Sequence, residues 1–122
     1  MIMCSVVAGE CMAPVQMDTY YDDMYTCLNA GYKESLDKSI EIDPNNPYTF
    51  NSRGVAFKEL KNYESALIDY NKAIKIDPNY GMAYGNRGNL KSMLDLPFCN
   101  DYKKACELGQ KIVCEWYEDD CK

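Results

Sequence analysis

The sequence contains no histidine. The commonest general base is therefore missing, and with it the usual nucleophilic triads and mixed Cys/His zinc sites. There is no glycine-rich phosphate loop; the seven glycines are scattered along the chain. None of the seven cysteines forms a C-x-x-C pair, so the standard zinc spacing is absent too. Positive charge is scarce: 13 Lys and Arg against 19 Asp and Glu leave a net charge of −6. Nucleic-acid binding needs a basic footprint, and anionic membrane surfaces attract basic segments, so neither partner is expected. No apolar run approaches the ~20 residues needed to cross a bilayer. The opening stretch MIMCSVVA is too short for a signal-peptide core and has no basic flank, and Cys4 lacks the apolar run a lipid anchor would follow. The acid pairs Asp22-Asp23 and Asp119-Asp120 are adjacent in sequence and point apart on a helix. Glu115, Glu118, Asp119 and Asp120 read as a solvated face. These absences predict a protein that is not an enzyme, with no cofactor and no resident metal.

What is present is repetition. The chain has 122 residues, the size of one domain. The string Ile40–Asn45, IEIDPN, returns as Ile74–Asn79, IKIDPN, after 34 residues. Thr49–Gly54, TFNSRG, returns at the same offset as Ala83–Gly88, AYGNRG. A fixed period of this length marks a solenoid of small helical units. Pro47 suits the first turn of a helix, where its missing N–H costs nothing. Phe50, Gly54, Phe57 and Leu60 then recur at three- to four-residue spacing and define one helical face. Lys61-Asn62 breaks the pattern. Tyr63, Ala66, Leu67, Tyr70, Ala73 and Ile74 form a second stripe that stops at Asp77-Pro78. Gly54 and Ala66 would let the two helices approach closely, with Phe50, Phe57 and Tyr70 filling the space around the contact.

The unit from Pro47 to Tyr80 resembles a tetratricopeptide repeat. That family's pattern places aromatic, small and proline residues where this chain has Phe50, Gly54, Phe57, Ala66, Tyr70, Ala73 and Pro78. Arg53 stands where the pattern has Leu, and Asp69 faces it on the second helix; an Arg53–Asp69 pair, if partly exposed, would contribute ~1 kcal/mol or less. The resemblance implies an all-α fold: a right-handed α-solenoid of about three helix hairpins closed by a capping helix. The expected organisation is a loose leader over 1–15 and a single domain over 16–122. Within it lie a degenerate repeat 16–46, a full repeat 47–80, a shortened repeat 81–109 and a cap 110–121. In the third unit Pro97 opens the second helix early, so the turn is about two residues shorter. Asp101, Tyr102 and Ala105 then align with Asp69, Tyr70 and Ala73. In the first unit Asn29-Ala30-Gly31 is the expected turn, although Tyr21, Tyr25, Leu28, Tyr32, Leu36 and Ile40 also fit one continuous helix. Ile112, Val113, Trp116 and Tyr117 have the helical spacing of a cap whose outer face is acidic.

Cys99, Cys106, Cys114 and Cys121 are spaced seven, eight and seven apart. Residues seven apart on one helix lie about 10.5 Å apart along its axis, too far for a disulfide within it. If the last two helices fold back around Gly109-Gln110, Cys106 comes opposite Cys114 and Cys99 opposite Cys121. Two readings stand: small apolar core residues in a reduced cytoplasmic chain, or two rungs stapling the cap in a periplasmic or secreted one.

In the family that the chain resembles, the first helices of successive units line a concave groove that holds a peptide. The corresponding places here are Tyr48, Asn51, Val55 and Lys58, then Met82, Asn86, Asn89 and Met93. Asparagines can hydrogen-bond a peptide backbone while Met and Tyr supply adaptable apolar contact. Chaperone-binding members clamp a C-terminal carboxylate with Lys, Arg and Asn. Asn86 fits one such place, but Asn51 and Val55 stand where basic residues are needed, which argues against that subclass. The expected function is a protein-binding scaffold. The alternative is a structural protein that self-associates through its open repeat edge into a homo-oligomer.

Overall fold

In the computed structural model the backbone is described at residues 3–5, 10–12 and 20–122, and side chains from residue 25 onward. Two short strands, β1 (Met3–Ser5) and β2 (Glu10–Met12), pair antiparallel with Cys4 opposite Cys11. Backbone pairing thus orders six positions of the span expected as a loose leader; the rest of that span lies outside the described residues. Six helices follow: α1 (Tyr20–Ile42), α2 (Pro47–Glu59), α3 (Tyr63–Ile76), α4 (Gly81–Met93), α5 (Cys99–Glu107) and α6 (Lys111–Cys121). Each helix packs against the next in chain order from α1 to α6, which is the layout of a helical-repeat solenoid.

The turn expected at Asn29-Ala30-Gly31 does not form. α1 runs unbroken for 23 residues. The Asn29 amide turns back to donate to the Tyr25 carbonyl at 2.9 Å, one helical turn earlier, so it does not cap a break. A single Gly31 inside the helix costs only ~1 kcal/mol relative to alanine. Among the described residues the array holds two hairpins, α2–α3 and α4–α5, flanked by single helices, and the first unit takes the continuous-helix form.

Local chemistry sets the middle hairpin. Asn46 caps α2, its Oδ1 accepting from Tyr48 N at 3.0 Å and Thr49 N at 3.4 Å, with Pro47 at the first helical position. Lys61 turns the chain with φ of 61°, and Asn62 caps α3 through Ser65 N. In the next hairpin Asp95, 34 residues on, repeats the left-handed turn with φ of 56°. The connection there is longer than expected: Pro97 delays α5, which begins only at Cys99 and has 9 residues against the 14 of α3. The two-residue deletion lies in the helix and not in the turn. Asp101, Tyr102 and Ala105 still occupy the places of Asp69, Tyr70 and Ala73, all six of them buried.

Two devices hold each hairpin, and both recur. The first is a close approach of glycine and tyrosine. A β-carbon at Gly54 would sit 2.6 Å from the Tyr70 ring, and one at Gly88 would sit 2.7 Å from the Tyr102 ring. The second is an arginine latch. Arg53 pairs both Asp69 oxygens, Nε at 2.7 Å and Nη2 at 2.8 Å, and sends Nη1 to Asp37 of α1 at 2.8 Å. Arg87 grips Asp101 in the same way and sends Nη1 to Asn71 of α3 at 2.8 Å. Asp37 and Asn71 are themselves 34 residues apart, so each latch closes its own hairpin and ties it to the preceding helix. The only two arginines of the chain are both used this way. Burial pushes the Asp37 carboxyl up, but hydrogen bonds and charge from Lys33 and Arg53 outweigh it and hold it below the usual carboxylate range.

Tyr70 and Tyr102 differ in one respect. Burial raises the Tyr102 phenol above its ordinary range, against the polar side chains of Asn89 and Ser92 beside it. The Tyr70 hydroxyl is buried without a partner, because Val55 and Lys58 stand where the second hairpin has Asn89 and Ser92. An unpaired buried hydroxyl costs free energy. Tyr70→Phe is therefore expected to leave stability unchanged or raise it by up to ~1 kcal/mol in urea denaturation.

Candidate peptide-binding groove

The first helices of the two hairpins, α2 and α4, turn one face toward a shared hollow, and α6 closes its far side. A cavity of about 350 Å³ lies between Lys58 on α2, Met82, Asn86 and Asn89 on α4, and Ile112, Val113 and Trp116 on α6. Four of the eight residues expected to face a groove line this cavity: Lys58, Met82, Asn86 and Asn89. The other four do not. Tyr48 is exposed at the head of α2, its ring 4.9 Å edge-on from that of Tyr80. Asn51 is buried. Val55 packs against the cluster of Ala66, Tyr70 and Leu90. Met93 is exposed at the end of α4.

Asn51 nonetheless shapes the surface. Its Oδ1 accepts from Asn86 Nδ2 at 3.0 Å, and its own amide donates to the Tyr80 hydroxyl at 3.3 Å. This chain fixes Asn86 with its amide nitrogen engaged and its carbonyl oxygen turned away from that bond. The Tyr80 hydroxyl in turn approaches the Met82 sulfur at 3.7 Å. Burial, reinforced by Tyr48 and Asp77 against the Asn51 hydrogen bond, raises the Tyr80 phenol above its ordinary range, so it stays protonated at neutral pH.

Sequence reasoning missed the contribution of α6. The helical spacing of Ile112, Val113 and Trp116 was legible, but it pointed to the inner face of a cap. Val113 does serve that role, buried with Tyr102 and Ala105. Ile112 remains 58 % exposed and faces the cavity instead. The small residue opposite makes room: a β-carbon at Gly85 would stand 3.2 Å from Val113 Cγ2, so α6, packed on α5, reaches α4 through Val113 and forms a wall of the cavity. Tyr80 was also missed, because it lies in the turn before α4 and not on the helix.

Two cysteine pairs bracket α6. Cys99 at the start of α5 is bonded to Cys121 at the end of α6, Cα atoms 5.6 Å apart. Cys106 at the end of α5 is bonded to Cys114 near the start of α6, Cα atoms 4.7 Å apart. Cys27 in α1 is disulfide-bonded as well. Among the described residues no cluster of acids or cysteines has the makings of a metal site, and no helix is long and apolar enough to cross a membrane.

Residues 47–80 match the family model described as Tetratricopeptide repeat. The chain is similar to small glutamine-rich tetratricopeptide repeat-containing protein 2 of Mycosarcoma maydis, 38 % identical over 80 residues, covering 66 % of this chain and 21 % of the relative. It is also similar to the protein STIP1 homolog of Dictyostelium discoideum, 32 % identical over 77 residues, covering 63 % and 13 %. RNA polymerase II-associated protein 3 of Xenopus tropicalis is 36 % identical over 90 residues, covering 72 % and 12 %. The chain thus spans about a fifth or less of the length of these relatives. The match falls on the hairpin whose glycine contact and arginine latch recur in the next unit, and residues 47–80 are a tetratricopeptide repeat.

Proposed function

We propose that the chain is a non-catalytic scaffold that binds a peptide segment of a partner protein in the groove between α2, α4 and α6. The observation that carries this reading is the composition of the cavity wall. Met82, Ile112 and Trp116 offer apolar area for one large side chain, while Asn86 and Asn89 offer amide groups for a peptide backbone. Lys58 is the one charged group among these lining residues, so the fit is to a neutral or mildly acidic segment with an apolar anchor. Asn86, positioned by Asn51, is ready to accept from an incoming N–H without first being ordered, which lowers the entropic cost of binding. The tetratricopeptide repeat at residues 47–80 and the tetratricopeptide-repeat relatives support protein binding as the general role.

The test is selection of peptides from a random display library on the full chain, followed by titration of the best binder. Asn86→Ala is expected to weaken binding about five- to tenfold, the effect of one lost hydrogen bond of ~1 kcal/mol, and to lower the unfolding midpoint as well, because the buried Asn51 Oδ1 loses its donor. Tyr48→Ala should act in the same direction if the peptide runs along α2. A binder indifferent to both substitutions would show that the groove is not the site.

One observation favours self-association as a second reading. Tyr25, Leu28 and Tyr32 form a stripe on one face of α1, each about half exposed. Sedimentation across a wide concentration range separates the two: a monomer throughout argues for the groove alone. The compartment follows from the thiols. Disulfides persist in oxidising compartments and are rare in the cytoplasm. Protected thiols at Cys99, Cys106, Cys114 and Cys121 in freshly isolated protein would place it in a periplasmic or secreted setting; free thiols there would place it in the cytoplasm.

A further inference from the structure

We propose that α6 is a releasable wall of the groove, held by the two cysteine rungs, and that a dithiol reductant opens the groove by freeing it. The proposal rests on the groove reading above for its consequence, but its physical basis is separate. α6 has little local support as a helix beyond the Glu118–Lys122 ion pair at its end. It has 11 residues, below the ~12–15 at which isolated helices become even marginal. Its N-cap residue, Gln110, makes no side-chain capping bond. Its last turn carries Glu118, Asp119 and Asp120, the wrong charge for the negative end of a helix dipole. Val113 is its only buried residue.

Against that weakness stand the rungs, one at each end of the α5–α6 pair. They keep the helix beside α5 wherever its own packing is too slight to do so, and they thereby hold Ile112 and Trp116 at the cavity. Reduction is a thiol–disulfide exchange. A dithiol attacks one sulfur of a rung, the S–S bond breaks, and the reductant closes to its own disulfide. Two electrons and two protons pass to the protein, leaving two cysteine thiols. With both rungs open, the α6 side of the cavity is no longer tethered, and the Met82–Asn86 surface is left as a shallow, solvated face.

Trp116 is the only tryptophan of the chain and sits 5.7 Å from the Tyr102 ring, so its fluorescence reports the docking of α6 directly. The experiment compares the oxidised full chain, the same protein in dithiothreitol, and the Cys99→Ser/Cys106→Ser/Cys114→Ser/Cys121→Ser variant. The expected result is a red-shifted Trp116 emission and severalfold stronger acrylamide quenching in the latter two. The loss of far-UV helical signal should not exceed that of the 11 residues of α6. Dithiothreitol should add nothing further to the Trp116 signal in the serine variant, which separates these rungs from the bond at Cys27. Unchanged emission and quenching would overturn the proposal, because packing alone would then hold the wall. Loss of helicity across the whole chain would overturn it as well, because the rungs would then hold the fold. No peptide enters this readout, so a groove that proves not to bind peptide would leave the release of α6 to stand or fall on its own.

Discussion

Replacing Gly54 with alanine is expected to destabilise the protein by about 1–2 kcal/mol net, drawn from the ~1–3 kcal/mol typical of forcing extra volume into a filled core. Intrinsic helix propensity works in the opposite direction, favouring alanine over glycine by ~1 kcal/mol in a helix interior. The sign is decided by what the new methyl meets. It would lie 2.6 Å and 2.8 Å from two carbons of the Tyr70 ring. That ring is fully buried against Ala66 and Leu90 and has nowhere to retreat. Urea denaturation should show a lower midpoint with an unchanged slope, since the surface exposed on unfolding is the same. Gly88→Ala should behave alike against Tyr102. Gly85→Ala, whose methyl would meet Val113 Cγ2 at 3.2 Å, should cost less, because a branched side chain can shift by a few tenths of an ångström. A stabilising Gly54→Ala would mean that α2 and α3 do not touch as described.

The second large effect is expected at Arg53. Its guanidinium holds the Asp69 carboxylate, whose side chain is only 3 % exposed, at 2.7 Å. From sequence the pair was expected to contribute ~1 kcal/mol or less if partly exposed. The burial of Asp69 changes that. Arg53→Ala removes the counterion and leaves a buried negative charge, for which about 3–5 kcal/mol is the usual loss. It also cuts the bond to Asp37 and so loosens α1 from α2. Hydrogen bonding to Asp69, set against burial and helped by Asp37, raises the Arg53 pKa further, so the cation is present at any pH of interest. Arg53→Lys should recover only part of the loss, because a point charge cannot match two carboxylate oxygens and a third acceptor at once. Arg87→Ala should be milder: Lys91 also reaches Asp101, at 3.0 Å, and remains as a counterion. Chemical denaturation of the four proteins at neutral pH checks the order Arg53→Ala, Arg87→Ala, Arg53→Lys, wild type, from least to most stable.

The fold was legible where the sequence repeats itself. Local chemistry placed Pro47, Lys61-Asn62 and Pro78 at helix boundaries, and the family resemblance paired Arg53 with Asp69; Gly54 was expected to approach Ala66, whereas the structure sets it on the Tyr70 ring. Legibility ended where no second copy exists. Nothing in the stretch around Gly31 distinguishes a turn from a tolerated helical glycine; the outcome depends on how the length of α1 packs against α2, a tertiary property. Pro97 was read as a helix start, but a proline two residues before Cys99 only delays one. The candidate groove was half legible. Asn86, Asn89, Met82 and Lys58 follow from repeat position, whereas Ile112 and Trp116 come from a helix outside the repeat, and its packing on α5, with Val113 reaching Gly85, brings them to the cavity. Asn51 was expected to face a groove; its burial and its bond to the Tyr80 hydroxyl depend on the next unit and were not legible.

The most direct measurement is a pair of nuclear Overhauser contacts in solution. If one hairpin device serves both units, the α-protons of Gly54 will show cross-peaks to the Tyr70 ring and those of Gly88 to the Tyr102 ring, both glycines shifted by the ring currents. Glycine α-protons at ordinary helical shifts, with no contact to either ring, would contradict the stacked arrangement and everything drawn from it.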